Sequence, residues 1–119
     1  MEILKSFIEE PRHYAVFFYK KSTMDFIGSY SICENYLYNV HVVEERKGYG
    51  TEMVKHALAE KKELYLDVDP ENYAAARCYE KCGFRYVKKL FNYPHPCWGN
   101  GVPVAKEIDR YAVGNVGEL

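Results

Sequence analysis

A short run rich in charge and glycine, placed between a strand pattern and a helix pattern, constrains the fold of this chain more than any other feature. Tyr36 to Val43 (YLYNVHVV) is β-branched and aromatic and predicts a strand, whereas residues 51–61 carry apolar residues at helical period. The run EERKGYG at residues 44–50 joins them. Glycines at the start of a helix let backbone N–H groups approach an anion at the positive end of the helix dipole. The run therefore predicts either an anion site or a plain strand-to-helix turn.

The rest of the chain alternates between strand and helix patterns. Further strand patterns cover residues 14–19, 26–33, 63–68, 84–91 and 104–113, and a second helix pattern covers residues 72–82. The first three strands are separated by short polar turns and predict an antiparallel meander. Lys88 and Lys89 indicate that their strand lies at an edge or is an exposed stretch. The order β-β-β-α-β-α-β-β predicts an α+β fold (an α/β-type sandwich) with a mixed sheet and two main helices.

Length and charge narrow the class of protein. The chain has 119 residues, so we expect a single domain over residues 1–119. Lys plus Arg number 16 and Asp plus Glu number 17, a balance that argues against a nucleic-acid partner. No apolar run reaches the roughly 18 residues of a membrane span, and residues 1–10 do not resemble a signal peptide. We expect a cytoplasmic protein without a membrane partner, and the sequence leaves a homodimer open.

The cysteines do not form a metal-binding or disulfide pattern. They are Cys33, Cys78, Cys82 and Cys97, and no two of them form a C-x-x-C pair. Cys78 and Cys82 fall on the apolar face of the second predicted helix, where a free cysteine packs as a small apolar residue. We expect no metal and no disulfide framework.

Two motifs together resemble the GNAT superfamily of acetyl-CoA-dependent N-acetyltransferases. The glycine loop of that family reads Q/R-x-x-G-x-G/A after the fourth strand, and residues 45–50 (ERKGYG) fall on it with Glu45 in the first position. A later unit of the family often reads N-x-x-A-x-x-x-Y-x-K-x-G-F. This chain matches every position of that unit, at Asn72, Ala75, Tyr79, Lys81, Gly83 and Phe84. The resemblance covers roughly residues 26 to 88 and implies a GNAT-like mixed sheet.

The chain departs from the family pattern in two places. Glu45 stands where the family usually has Gln or Arg, which puts a carboxylate near a phosphate site beside Arg46 and Lys47. The family also places one strand and two helices before the central hairpin. Only about 13 residues precede Tyr14, so we expect those helices to be shortened or missing. In the family they wall the acceptor side.

The resemblance implies acetyl-CoA as co-substrate, with coenzyme A as product, and no metal. The cofactor-binding residues that it implies are Val40, Val42, Glu45, Arg46, Lys47, Gly48, Tyr49, Gly50 and Asn72. Val40 and Val42 would bind the pantetheine arm through their backbone, and residues 45–50 would hold the pyrophosphate. Asn72 also fits the N-cap of the second helix, and both roles are compatible.

Tyr79 is the catalytic residue that the resemblance implies. Family members transfer the acetyl group directly to an amine, and this tyrosine would donate a proton to the departing sulfur. A phenol with a pKa near 10 is protonated at neutral pH and can donate there. The alternative is an aromatic side chain on the core face of a helix.

The acceptor and the base are less constrained. His41, Glu34, Asp67 and Asp69 are candidate bases. Glu63, Asp67, Asp69 and Glu71 form an acidic stretch without a basic residue, and we expect Asp67 and Asp69 to attract a cationic amine unless the stretch is a solvated turn. The sequence therefore favours a small polycationic amine such as a polyamine. The alternatives are a protein or peptide lysine, and an acyl-CoA-binding regulatory domain with weak activity.

Overall fold

A seven-stranded mixed sheet organises the chain in the computed structural model, which describes residues 2–10, 13–44, 47–91 and 107–116. The strands are β1 (Glu2–Glu10), β2 (His13–Tyr19), β3 (Phe26–Cys33), β4 (Tyr36–Val42), β5 (Leu64–Val68), β6 (Arg85–Phe91) and β7 (Glu107–Val113), and the helices are α1 (Tyr49–Glu60) and α2 (Tyr73–Lys81). The strand order across the sheet is β1-β2-β3-β4-β5-β7-β6. The predicted meander, both helices and the edge position of β6 are confirmed.

The first strand is an element that the sequence patterns missed. β1 pairs antiparallel with β2 along most of its length. Its sequence, EILKSFIEE, does not alternate strictly between polar and apolar residues, so it lacks the signal of a half-buried strand. Only two residues separate β1 from β2, so no helix lies between them. The chain therefore keeps the family's first strand and lacks the two helices that follow it.

Both helices pack on one face of the sheet. Met53, Val54 and Ala57 of α1 are buried in the core. α2 lies beside α1, and the hydroxyl of Thr51 is 3.5 Å from the Cys78 sulfur. No helix in the described part of the chain is long and apolar enough to cross a membrane.

The opposite surface of the sheet, which we call the second face, carries polar and aromatic side chains. Along β2 the residues buried toward the helices are Tyr14, Val16 and Phe18, so His13 points the other way. The described second-face residues include His13, Tyr36, Tyr38, Tyr65, Asp67 and Arg110.

The cysteine prediction holds in part. Cys78 and Cys82 are free and half-buried, as expected for packed thiols. Cys33, at the end of β3, is disulfide-bonded, whereas the cysteine spacing implied no disulfide framework. Spacing along the sequence could not reveal it, because the pairing of distant cysteines depends on the fold.

Candidate active site

The sheet opens between its two parallel neighbours, β4 and β5. These strands are joined only at their beginnings, where Tyr36 pairs with Tyr65. There the Tyr65 N–H donates to the Asn35 carbonyl at 2.9 Å, and the Asn35 side chain donates to the Glu63 carbonyl at 2.9 Å. Beyond this point the strands separate around a cleft of about 380 Å³. It is lined by residues 36–40 and 66–69, Asn72, Ala75 and Tyr79.

A bulge in β4 shapes one wall of this cleft. Ser29 of β3 lies opposite His41, and Ser31 lies opposite Tyr38, so β4 carries one extra residue between those pairs. Asn39, within the bulge, has a φ of 52°. Val40 lines the cleft directly after it. Because β4 has no ladder with β5 beyond Tyr36, its backbone there faces the cleft and can pair with a ligand.

The glycine run ends at the N-terminus of α1. Gly48 is the N-cap and has a φ of 80°, a left-handed conformation that favours glycine. No described side chain caps the helix, so its first N–H groups can bind an anion. A β-carbon at Gly50 would lie 3.7 Å from Val42 Cγ2, an ordinary contact distance. Lys47 is exposed, whereas Glu45 and Arg46 lie outside the described residues.

Asn72 begins α2 at the rim of the cleft. Its Oδ1 accepts a hydrogen bond from the Ala75 N–H at 3.2 Å, which confirms the N-cap interpretation. The same residue lines the cleft, so capping the helix leaves Asn72 beside the position expected for a cofactor. Cofactor binding by Asn72 stays a prediction.

Tyr79 lies on the helix side of the cleft. Its ring packs edge-to-face against Phe84, with 5.9 Å between the ring centroids. Burial, with smaller contributions from the Cys78 and Cys82 thiols, raises the pKa of Tyr79 to about 12. The phenol is therefore protonated at neutral pH and can donate. Packing and proton donation are compatible for this side chain.

Asp67 is paired inside the protein. Arg110 of β7 donates to both carboxylate oxygens, Nε to Oδ1 at 2.8 Å and a terminal nitrogen to Oδ2 at 3.0 Å. Each of the two side chains is 2% exposed. The Arg110 guanidinium also lies 4.8 Å from the centroid of the Tyr65 ring. The charge of Asp67 is thus matched by Arg110 of a distant strand, which argues against the expectation that Asp67 attracts a cationic amine.

Asp69 stays at the cleft. It lines the opening, and its Oδ1 accepts from the Glu71 N–H at 3.0 Å in the turn before α2. The other candidate bases lie elsewhere. His41 is exposed and stacks on Phe26, and Glu34 is exposed in the turn between β3 and β4. Neither of them lines the cleft.

Sequence patterns did not predict a pair of second-face residues beside the cleft. The Tyr38 hydroxyl lies 2.5 Å from His13 Nε2. The Tyr38 ring stacks on Tyr36, with centroids 5.6 Å apart and planes 7° from parallel. Strand alternation puts Tyr36 and Tyr38 on one face, but nothing in the spacing points to His13, which lies 25 residues away. Among the residues whose structure is described, no cluster of His, Cys, Asp and Glu could hold a metal.

Comparisons with known proteins agree with this geometry. An acetyltransferase from Bacillus subtilis, solved in complex with CoA, has a TM-score of 0.69 at 18% identity, covering 88% of this chain and 78% of that one. An IAA acetyltransferase from Bacillus cereus has a TM-score of 0.69 at 20% identity, covering 94% of this chain and 99% of that one. A mutant of the spermidine N-acetyltransferase SpeG from Vibrio cholerae has a TM-score of 0.69 at 18% identity, covering 87% and 66%. These likenesses show the fold.

The sequence itself settles the family. A comparison with curated proteins finds no significant match. The sequence model of the acetyltransferase (GNAT) family, in contrast, matches residues 5–84, which include the meander, the glycine run, α1, β5 and α2. The chain belongs to the GNAT family of acetyltransferases.

Proposed function

We propose that this acetyltransferase moves the acetyl group of acetyl-CoA directly to a primary amine of a small polycation such as a polyamine. One observation carries the proposal: the cleft between β4 and β5 is lined by Tyr79, whose phenol is protonated, on the helix side and by aromatic residues on the second face. When bound, acetyl-CoA supplies an activated acetyl thioester.

The described residues fit this co-substrate. The uncapped N-terminus of α1 at Gly48 suits a pyrophosphate, with Lys47, Tyr49 and Gly50 beside it. The wall of β4 around Val40 and Val42 offers backbone groups to a pantetheine arm. The Bacillus subtilis acetyltransferase of the same fold was solved with CoA, which supports the assignment.

Tyr79 would act as the general acid. Its phenol holds its proton at neutral pH because burial disfavours the phenolate. The acceptor ammonium would first lose one proton to solvent. As the acceptor nitrogen bonds to the acetyl carbon and the carbon–sulfur bond breaks, the phenol would donate its proton to the departing sulfur, and the proton lost by the attacking nitrogen would return to Tyr79 through solvent. No protein nucleophile is required, because the acceptor amine attacks the thioester itself.

The polycationic acceptor is supported by charge and by analogy. Asp69 brings a carboxylate to the cleft beside Asn72. Vibrio cholerae SpeG, a spermidine N-acetyltransferase, shares the fold at 18% identity. Since Asp67 is neutralised by Arg110, Asp69 is the acid that we assign to acceptor binding.

The test is acetyl transfer to a panel of amines. Wild-type protein and the Tyr79→Phe variant would receive acetyl-CoA with spermidine, putrescine or a lysine-containing peptide, and the products would be identified by mass spectrometry. Because Cys78 and Cys82 are free thiols, a thiol-reagent assay needs an enzyme blank without acetyl-CoA. We expect acetylspermidine and a large loss in the variant.

Other outcomes would replace the proposal. Higher kcat/KM for the peptide than for spermidine would identify a peptide lysine acetyltransferase. Binding of acetyl-CoA without any acetylated product would identify an acyl-CoA-binding domain.

Asp69 has a matched test. Asp69→Asn keeps the Oδ1 acceptor for the Glu71 N–H and removes the charge. We expect a higher KM for spermidine with unchanged affinity for acetyl-CoA. Glu71→Gln, at an exposed residue that does not line the cleft, is the control and should leave both values unchanged. Equal KM values for Asp69→Asn and wild type would remove Asp69 from the acceptor site.

A further inference from the structure

On the second face of the sheet, beside the cleft, aromatic rings form a continuous row. The Tyr65 and Tyr36 centroids are 5.1 Å apart, and those of Tyr36 and Tyr38 are 5.6 Å apart. Tyr36 and Tyr38 both line the cleft, but Tyr36 is only 2% exposed whereas Tyr38 is half-buried. Tyr38 is thus the ring of the row through which a ligand can reach the aromatic surface.

One end of this row already holds a cation. The Arg110 guanidinium lies over the Tyr65 ring at 4.8 Å, within the range of a cation–π interaction. Its charge is matched by Asp67, so it adds little net positive charge to the cleft. The protein therefore uses a ring of this row to stabilise a cation, and the row ends at the cleft with Tyr38.

The orientation of Tyr38 is fixed from outside the cleft. His13 Nε2 lies 2.5 Å from the Tyr38 hydroxyl, and the nearly parallel stacking on Tyr36 holds the ring plane. A ring held at both its edge and its face loses little conformational freedom when a ligand binds. His13 acts only through Tyr38 and is a positioning residue.

We propose that Tyr38, held by His13, forms a cation–π subsite for a second ammonium group of the acceptor. The inference rests on the proposed transfer to polycationic amines and assigns part of that specificity to a ring instead of a carboxylate. Asp69 lies on the β5 side of the cleft and Tyr38 on the β4 side. An acceptor with two separated ammonium groups can thus be held from both walls.

The test compares acceptors that differ by one charge. Putrescine carries two ammonium groups, n-butylamine carries one, and 4-amino-1-butanol carries a neutral polar group in place of the second. In wild-type enzyme we expect the KM for putrescine to be the lowest of the three. Tyr38→Leu should raise the KM for putrescine roughly 2- to 30-fold, the range of a partly desolvated cation–π contact. The KM for n-butylamine should stay unchanged.

Three further variants separate the ring from its hydrogen bond. Tyr38→Phe keeps the aromatic face but loses the hydrogen bond to His13, so it should show the same partial loss of the preference for putrescine as His13→Ala. His13→Ala should reduce that preference, and His13→Gln should restore it because the amide can still bond the hydroxyl. Tyr86→Leu, at a tyrosine 52% exposed on β6 and outside the cleft, is the control.

A binding measurement gives the same comparison without turnover. Calorimetry of putrescine with the enzyme–CoA complex should show the loss in Tyr38→Leu and not in Tyr86→Leu. If Tyr38→Leu does not fold, the Tyr38→Phe and His13 variants with the three acceptors decide. Unchanged putrescine preference in the folded Tyr38 and His13 variants would overturn the subsite while leaving amine acetylation intact. A wild-type enzyme that acetylates no amine would instead overturn the proposed function.

Discussion

Removing the charge of Asp67 should destabilise the protein by about 3–5 kcal/mol. Asp67→Asn changes the side-chain volume little but leaves the Arg110 guanidinium without its carboxylate in a site where both side chains are 2% exposed. Breaking a buried pair at one partner typically costs about 3–5 kcal/mol, because the remaining charge is left desolvated. Two hydrogen bonds, at 2.8 and 3.0 Å, tie the guanidinium to this one carboxylate, so we expect a value within that range.

That free energy corresponds to a large shift in melting temperature. For 119 residues the unfolding entropy is about 0.25 kcal/mol/K, so the melting temperature should fall by about 12–20 °C. Urea unfolding followed by circular dichroism at 15 °C would give the free energy directly. The double variant Asp67→Leu/Arg110→Met should recover most of the loss, because it removes both charges.

The matched control is an exposed ion pair in the same sheet. Asp109 pairs with Lys89 at 2.9 Å, but the Lys89 side chain is 46% exposed. Asp109→Asn should leave the urea midpoint close to wild type. An Asp67→Asn midpoint as close to wild type as that of Asp109→Asn would refute the reasoning. At temperatures where the Asp67→Asn variant is folded, we expect its KM for spermidine to equal that of wild type, because Asp67 pairs with Arg110 and does not bind the acceptor.

Three further changes test the cleft and the buried tyrosines. Gly50→Ala should fold normally, because its β-carbon would make only ordinary contacts. The increase in melting temperature that millimolar acetyl-CoA causes should nevertheless be smaller than in wild type. An equal increase would place the pyrophosphate elsewhere. Tyr79→Phe should lower kcat by about 10²- to 10⁴-fold while its melting temperature stays near wild type, and unchanged turnover would return Tyr79 to a packing role. Burial raises the pKa values of Tyr14 and Tyr79 to about 12 from 10.0. Their contribution to stability is therefore complete below about pH 10 and is lost as the pH rises toward 12. Between pH 8, 10 and 11 the urea midpoint should fall less in Tyr14→Phe than in wild type, and parallel curves for the two proteins would contradict this.

Local patterns predicted most of the fold because most elements follow a local rule. The meander is rich in β-branched and aromatic residues, α1 follows glycines, and Asn72 is a good N-cap residue, so these features need no long-range information. β1 escaped prediction because its stability comes from pairing with β2 and its own pattern is weak.

The site was harder to predict than the fold. Tyr79 and Asn72 could be predicted because they occupy positions of a family motif, and both line the cleft. Arg110 and His13 were missed because their partners, Asp67 and Tyr38, lie 43 and 25 residues away. Contacts of that kind are made by the sheet register, which a single sequence does not display.

Because β4 and β5 pair at a single residue position, the sheet consists of two halves. β1 to β4 form one half-sheet, and β5, β7 and β6 form another, each with its own continuous ladder. The backbone joins them at Tyr36 and Tyr65. Those amide hydrogens of β4 beyond Tyr36 that point toward β5 should therefore exchange with solvent sooner than those bonded inside either ladder. A ligand that hydrogen-bonds to the open edge of β4 would act as an extra strand. The two half-sheets would then unfold as one cooperative unit.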